Sequence, residues 1–80
     1  MHAREEIDKG HRQDALPIIE RAIGQFQEAL DYFEDALAIH QEIDDRPGEG
    51  ITLNNIGSTY ESLGQYERAL DYFEKAVAAI

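Results

Sequence analysis

Seventeen residues of this chain occur twice. Gly24 to His40 reads GQFQEALDYFEDALAIH and Gly64 to Ile80 reads GQYERALDYFEKAVAAI, and at an offset of 40 the two segments agree at ten positions. Agreement of that density at a fixed period points to stacked copies of one supersecondary unit rather than to a single irregular domain. Within each copy the apolar residues recur three or four apart: Phe26, Ala29, Leu30, Phe33, Ala36 and Leu37 in the first, Tyr66, Ala69, Leu70, Phe73, Ala76 and Val77 in the second. That spacing puts them on one face of a helix. The expected fold is all-α, built from antiparallel helix-turn-helix repeats with about four main helices.

The punctuation between these runs divides the chain into three parts. Residues 48–80 hold a complete unit, with apolar Leu53, Ile56, Tyr60 and Leu63 before Gly64 and the second copy after it. Residues 24–47 supply the second helix of an earlier unit and a linker, where Asp45-Arg46-Pro47-Gly48-Glu49-Gly50 separates two helices. Residues 1–23 read as a degenerate first helix. There Gly10 is expected to cap a preceding helix, and Asp14 to sit near the N-cap of one that starts around Ala15 to Pro17, because proline is tolerated only in a first turn. A turn is expected at Gly24, as at Gly64. The alternative is one helix from Pro17 to Asp44, since Ile19, Ala22 and Ile23 continue the same spacing backward.

Eighty residues with no cysteine exclude a disulfide-stapled miniprotein and a thiolate metal site. The formal charge of −10, from 17 acidic and 7 basic residues, repels phosphate and argues against nucleic-acid and anionic-membrane partners. Most of that charge lies in the middle: residues 24–50 carry eight acids and one base. An apolar run of membrane-spanning length is absent, and Met1-His2-Ala3-Arg4-Glu5-Glu6 lacks the core of a signal peptide. The expected setting is the cytoplasm.

The residues that could carry chemistry do not assemble into a site. His2, His11 and His40 have no second ligand at helical spacing beyond carboxylates such as Asp44, so neither metal nor cofactor is expected. Paired acids such as Glu34-Asp35 and Asp44-Asp45 fall on exposed helix faces, with no burial to tune them for proton transfer. Nucleophile elbows, phosphate loops and catalytic cysteines are absent. An enzyme is not expected.

Leu53, Ile56-Gly57, Tyr60, Gly64, Tyr66, Ala69, Phe73 and Ala76 resemble the motif of the tetratricopeptide repeat family at eight positions. Small Gly57, Ala69 and Ala76 would make room for Tyr60, Tyr66 and Phe73. The first copy matches at Gly24, Phe26, Ala29, Phe33 and Ala36, but Pro17 stands where the second has Gly57. The 40-residue period exceeds the family's usual ~34 and resembles the extended repeats of kinesin light chains and similar bacterial proteins, as does Leu53-Asn54-Asn55.

The resemblance implies a protein-binding scaffold whose first helices line a groove for an extended peptide or a partner helix. It turns Asn54, Ser58 and Glu61 toward that groove, with Asn55 and Ser62 at its rim. A second expectation comes from arithmetic. About three repeats are normally needed to bury a repeat array's apolar faces, and this chain has one complete and one partial unit with no polar capping helix after Ile80. Tyr66, Leu70, Phe73, Val77 and Ile80 would then form a self-association face in a symmetric homodimer, with exchange of helices through an opened turn at Gly24.

Overall fold

The structure, a computed structural model, describes the backbone of residues 2–80 and the side chains of residues 16–80. Three helices run up, down and up: α1 (His2–Glu42), α2 (Arg46–Ser62) and α3 (Tyr66–Ala79). The all-helical repeat architecture is as expected, but the count is three among the described residues, not about four. α1 has 41 residues, and at 1.5 Å per residue it spans ~61 Å, which accounts for the 62 Å long dimension of the molecule.

The missing turn is the one at Gly24. That residue lies inside α1 with ordinary helical φ, and a Cβ added to it would meet nothing within 4 Å. Gly10 and Asp14 likewise fall within α1 and end or start no helix, and Pro17 is accepted in the helix interior, at an exposed position. The reason lies in the hairpin that does form. α3 packs on α2 where the Gly57 Cβ position is only 2.7 Å from the Phe73 ring, so that crossing requires glycine. The corresponding residue of the first unit is Pro17, opposite Phe33. With its ring there, residues 6–22 cannot close on residues 24–42 as α2 closes on α3, and continuing the helix is what remains.

The two turns that do form are built alike. α1 ends where Asp44 adopts φ +57° and the Asp45 N–H donates to the His40 carbonyl at 2.8 Å. α2 ends where Gly64 adopts φ +77° and the Gln65 N–H donates to the Tyr60 carbonyl at 2.9 Å. Each is a left-handed residue followed by a bond back over the last turn, which satisfies a terminal carbonyl. The break between α1 and α2 is thus residues 43–45. Arg46-Pro47-Gly48-Glu49-Gly50, expected as linker, forms the first turns of α2, because proline suits a first turn and Asp45 caps it.

That cap ties the turn to α1. The Gly48 N–H donates to Asp45 Oδ1 at 3.1 Å, while Asp45 Oδ2 lies 3.1 Å from His40 Nδ1. His40, on the apolar stripe of α1, therefore serves the turn. Asp45→Ala is expected to lower stability by about 1 kcal/mol, read as a shift in the urea midpoint followed by circular dichroism. No shift would mean that the carboxylate contributes nothing beyond what water supplies.

The core is small. Ile56 is fully buried, and Leu53, Ala76 and Ala79 form a cluster against which Leu37 of α1 and Tyr72 of α3 pack. α2 is the centre of the molecule and touches both neighbours. Its Gly50 and Gly57 face α3, and its buried Thr52, Ile56 and Thr59 fall, by helical spacing, on the side left for α1. Residues 16–19 of α1 have little such cover: Leu16, Ile18 and Ile19 are all more than half exposed.

Candidate functional site

With α1 and α3 occupying two sides of α2, the third side faces solvent. Asn54, Asn55, Ser58, Glu61 and Ser62 all lie there and all are exposed. Their spacing of three and four residues makes a continuous polar strip along the helix. The side chains are not equally free. Ser62 donates its hydroxyl to the Ser58 carbonyl at 3.1 Å. Among the described residues the side chains of Asn54, Asn55 and Ser58 make no hydrogen bond within the chain. Those three therefore keep their donors and acceptors available to a ligand.

One residue of this side was not singled out from the sequence. Ile51 is 64 % exposed and sits one turn before Asn54 and Asn55. It lines a shallow cleft of about 350 Å³ with Asn54 and with Phe73, Val77 and Ile80 of α3. The polar strip and the apolar face of α3 thus meet along one edge. Its position three before Asn54 on a helix was a legible signal, but apolar residues are usually assigned to the core.

On α3, Tyr66, Leu70, Val77 and Ile80 are between 58 % and 93 % exposed. Phe73 differs from them. It is half-buried, with its ring over Gly57, and belongs to the α2–α3 contact as much as to the outer face.

The opposite edge of the α2–α3 pair carries an aromatic and cationic ladder. Tyr60 stacks on Tyr72 with ring centroids 5.5 Å apart and planes 19° from parallel. The Arg68 guanidinium lies 5.6 Å from the Tyr60 ring and the Lys75 ammonium 4.9 Å from the Tyr72 ring. Stacking and cation–π contacts of this kind each contribute on the order of 1 kcal/mol. Burial, and then the neighbouring Tyr60 and Glu34, raise the Tyr72 phenol above its ordinary value, with Arg68 acting the other way. Beside this ladder a groove of about 440 Å³ opens between α1 and α3, lined by Leu37, Arg46, Tyr72 and Lys75 among others. The three bases of residues 46–80, Arg46, Arg68 and Lys75, all lie along this edge.

Among the described residues no group of three or more His, Cys, Asp or Glu side chains is arranged to hold a metal ion. The acids Glu34 and Asp35 are exposed. His2 and His11 lie outside the residues whose side chains are described. No helix in the described residues is long and apolar enough to cross a membrane. What this geometry offers is surface: a polar strip, an apolar face and a cationic edge around one central helix.

Comparison with the curated proteins and with the solved structures found no match at the significance required. Comparison with protein families found one described as tetratricopeptide repeat, over residues 13–80. That span covers the whole of α2 and α3 and most of α1, and with the small-residue crossings at Gly57, Ala69 and Ala76 it shows that the chain belongs to the tetratricopeptide repeat family.

Proposed function

We propose that this chain is a non-catalytic scaffold that holds an extended peptide or a partner helix of another protein on the outward side of α2. The observation that carries this reading is the uncommitted amide and hydroxyl chemistry of Asn54, Asn55 and Ser58 on one exposed helical strip. Asparagine both donates and accepts, so the strip can pair with a peptide backbone and orient it without reading much of its sequence. Glu61 extends the strip, Ser62 contributes its acceptor, and Ile51 adds an apolar anchor beside it. A charge of −10 selects against phosphate-rich partners, and the cytoplasm is the setting that fits. Neither a cofactor nor a metal enters this function.

A displayed library of random peptides panned against the immobilised chain tests the reading. Enriched peptides are expected to bind the Asn54→Ala, Ser58→Ala variant about tenfold more weakly, the loss of one to two hydrogen bonds, with its melting temperature unchanged because both side chains are exposed. Enriched peptides that bind the variant as well as the parent would place the site elsewhere.

A second reading is self-assembly into a homodimer through α3. It is favoured by a specific observation: four large apolar side chains, Tyr66, Leu70, Val77 and Ile80, lie exposed along one face of that helix.

A further inference from the structure

The repeat relates the two unpartnered parts of this molecule to each other. Phe26, Leu30, Phe33, Leu37 and His40 share one face of α1 and all five are half-buried. Leu37 packs against the Leu53 cluster, Phe26 lines a cleft with Leu63 and His40 bonds Asp45, so this face is the one toward α2. Adding 40 to each number gives Tyr66, Leu70, Phe73, Val77 and Ile80, of which four are exposed. α3 thus presents the same side that α1 presents to α2, with no helix on it. Subtracting 40 from α2 gives residues 6–22, a helical stretch of α1 that is more than half exposed at Leu16, Ile18 and Ile19. The 80 residues thus hold both an exposed face and a segment that corresponds to the helix covering its counterpart.

The two sides of that segment have diverged in opposite directions. Where α2 faces α3 with Gly57 and Tyr60, the segment has Pro17 and Glu20, which cannot form that crossing. Where α2 turns Ile56 and Thr59 to α1, with Leu63 just after it, the segment has Leu16, Ile19 and Ile23, which are as apolar or more so, while Thr52 corresponds to Arg12 and limits the match to residues 16–23. Residues 16–23 thus lack the surface for folding back within their own unit but carry one suited to docking on a preceding helix. Its own α3 is out of reach, because α1 and α3 point the same way and Leu16 to Ile23 continue past the α2–α3 turn, where Ile19, Ile23 and Phe26 line one cleft with Leu63.

We infer that the first half of the α3 face, Tyr66 and Leu70 with Phe73 beside them, is the docking site for residues 16–23 of a second copy of this chain, laid antiparallel on it as α2 lies on α1. This rests on the self-assembly reading and names the occupant. The arrangement closes with two copies. A helix laid antiparallel on α3 carries its own body back past the α2–α3 turn, to the end where residues 16–23 of the first copy project. Both contacts are then the same contact repeated about a two-fold axis, as closed dimers require. The α1–α2 pairing also sets the register. Phe26 and Leu63 line one cleft, so Tyr66 of one copy lies beside Ile23 of the other.

Sedimentation velocity on the 80-residue chain and three double or single variants tests this. The parent is expected to be a dimer at concentrations on the order of 10 μM. Leu16→Glu with Ile19→Glu, and separately Tyr66→Glu with Leu70→Glu, are each expected to weaken association about thirtyfold or more, as loss of central apolar anchors does. All four side chains are exposed, so helicity by circular dichroism is expected to stay at the parent's value. Ile18→Glu adds the same charge off the docking side and is expected to leave the dimer intact. Mixing the two double variants is expected to restore a one-to-one complex, since each retains the half that the other lacks. Because the chain has no cysteine, Ile23→Cys in one copy and Tyr66→Cys in another are expected to form a disulfide across the contact on oxidation. A parent chain that is monomeric at 100-fold higher concentration would overturn both the inference and the self-assembly reading, and would leave α3 to a different protein segment. A dimer that survives Leu16→Glu with Ile19→Glu would overturn the inference alone, with α3 then pairing on α3. Loss of association with Ile18→Glu would likewise overturn it, since added charge anywhere would then suffice.

Discussion

Gly57→Leu is expected to remove most of the cooperative unfolding transition of this protein, with a loss of about 3 kcal/mol. The Cβ of any residue at that position would lie 2.7 and 2.8 Å from two atoms of the Phe73 ring and 3.2 Å from the Ala69 carbonyl oxygen. The ring is half-buried between α2 and α3 and the carbonyl is backbone, so neither can swing aside without separating the helices. A chain of 80 residues has a total stability of only ~4–12 kcal/mol, and among the described residues α3 packs on α2 and on no other helix. Urea unfolding followed at 222 nm measures the effect. Gly24→Ala is the matched comparison: with nothing within 4 Å and helical φ, it is expected to raise stability by about 1 kcal/mol, the helix-propensity difference between the two residues. A loss at Gly24 would mean that the chain turns there in solution.

Ile56→Ala is expected to lower stability by about 2–5 kcal/mol. Ile56 is the fully buried large side chain of the described residues and sits on the side of α2 turned to α1. Removing its outer carbons leaves a void that flanking Thr52 and Thr59, held on the same helix, cannot fill. Leu16 occupies the corresponding place in the first unit but is 55 % exposed. At a concentration low enough to keep the chain monomeric, Leu16→Ala is expected to change stability by no more than about 0.5 kcal/mol. Equal losses at the two positions would show that residues 6–22 are packed in the free chain as α2 is.

These two comparisons mark where the residue pattern was legible and where it was not. The α2–α3 hairpin could be read directly, because Gly64, the small residues Gly57, Ala69 and Ala76 and the helical spacing all agree on it. The Gly24 turn was read by the same logic and does not form. A glycine makes the left-handed conformation accessible but does not favour it over the helix by more than about 1 kcal/mol. At Gly64 the packing of α3 on α2 supplies the difference. At Gly24 that packing would need a glycine at position 17, and the proline there withholds it. Arg46 to Gly50 shows a similar limit from the other direction: a Pro-Gly pair signals a break, but which side of the break it falls on depends on the Asp45 cap and its bond to His40.

For the candidate sites, the sequence separated polar from apolar positions and the structure determined which of them share an edge. The strip of Asn54, Asn55 and Ser58 follows from helical spacing alone. That Ile51 joins it to the apolar face of α3, and that Tyr60 stacks on Tyr72 beneath two cations, depends on how α2 and α3 cross.

The sequence by itself determined the all-helical class, the family and the faces of α2 and α3, because each rests on contacts between residues a few positions apart or on a repeat that can be counted. Only the tertiary structure decided that the first unit stays open as one long helix. That outcome depends on a single steric comparison across the chain, Pro17 against the space that Gly57 leaves for Phe73, and such a comparison exists only once two helices have been brought together.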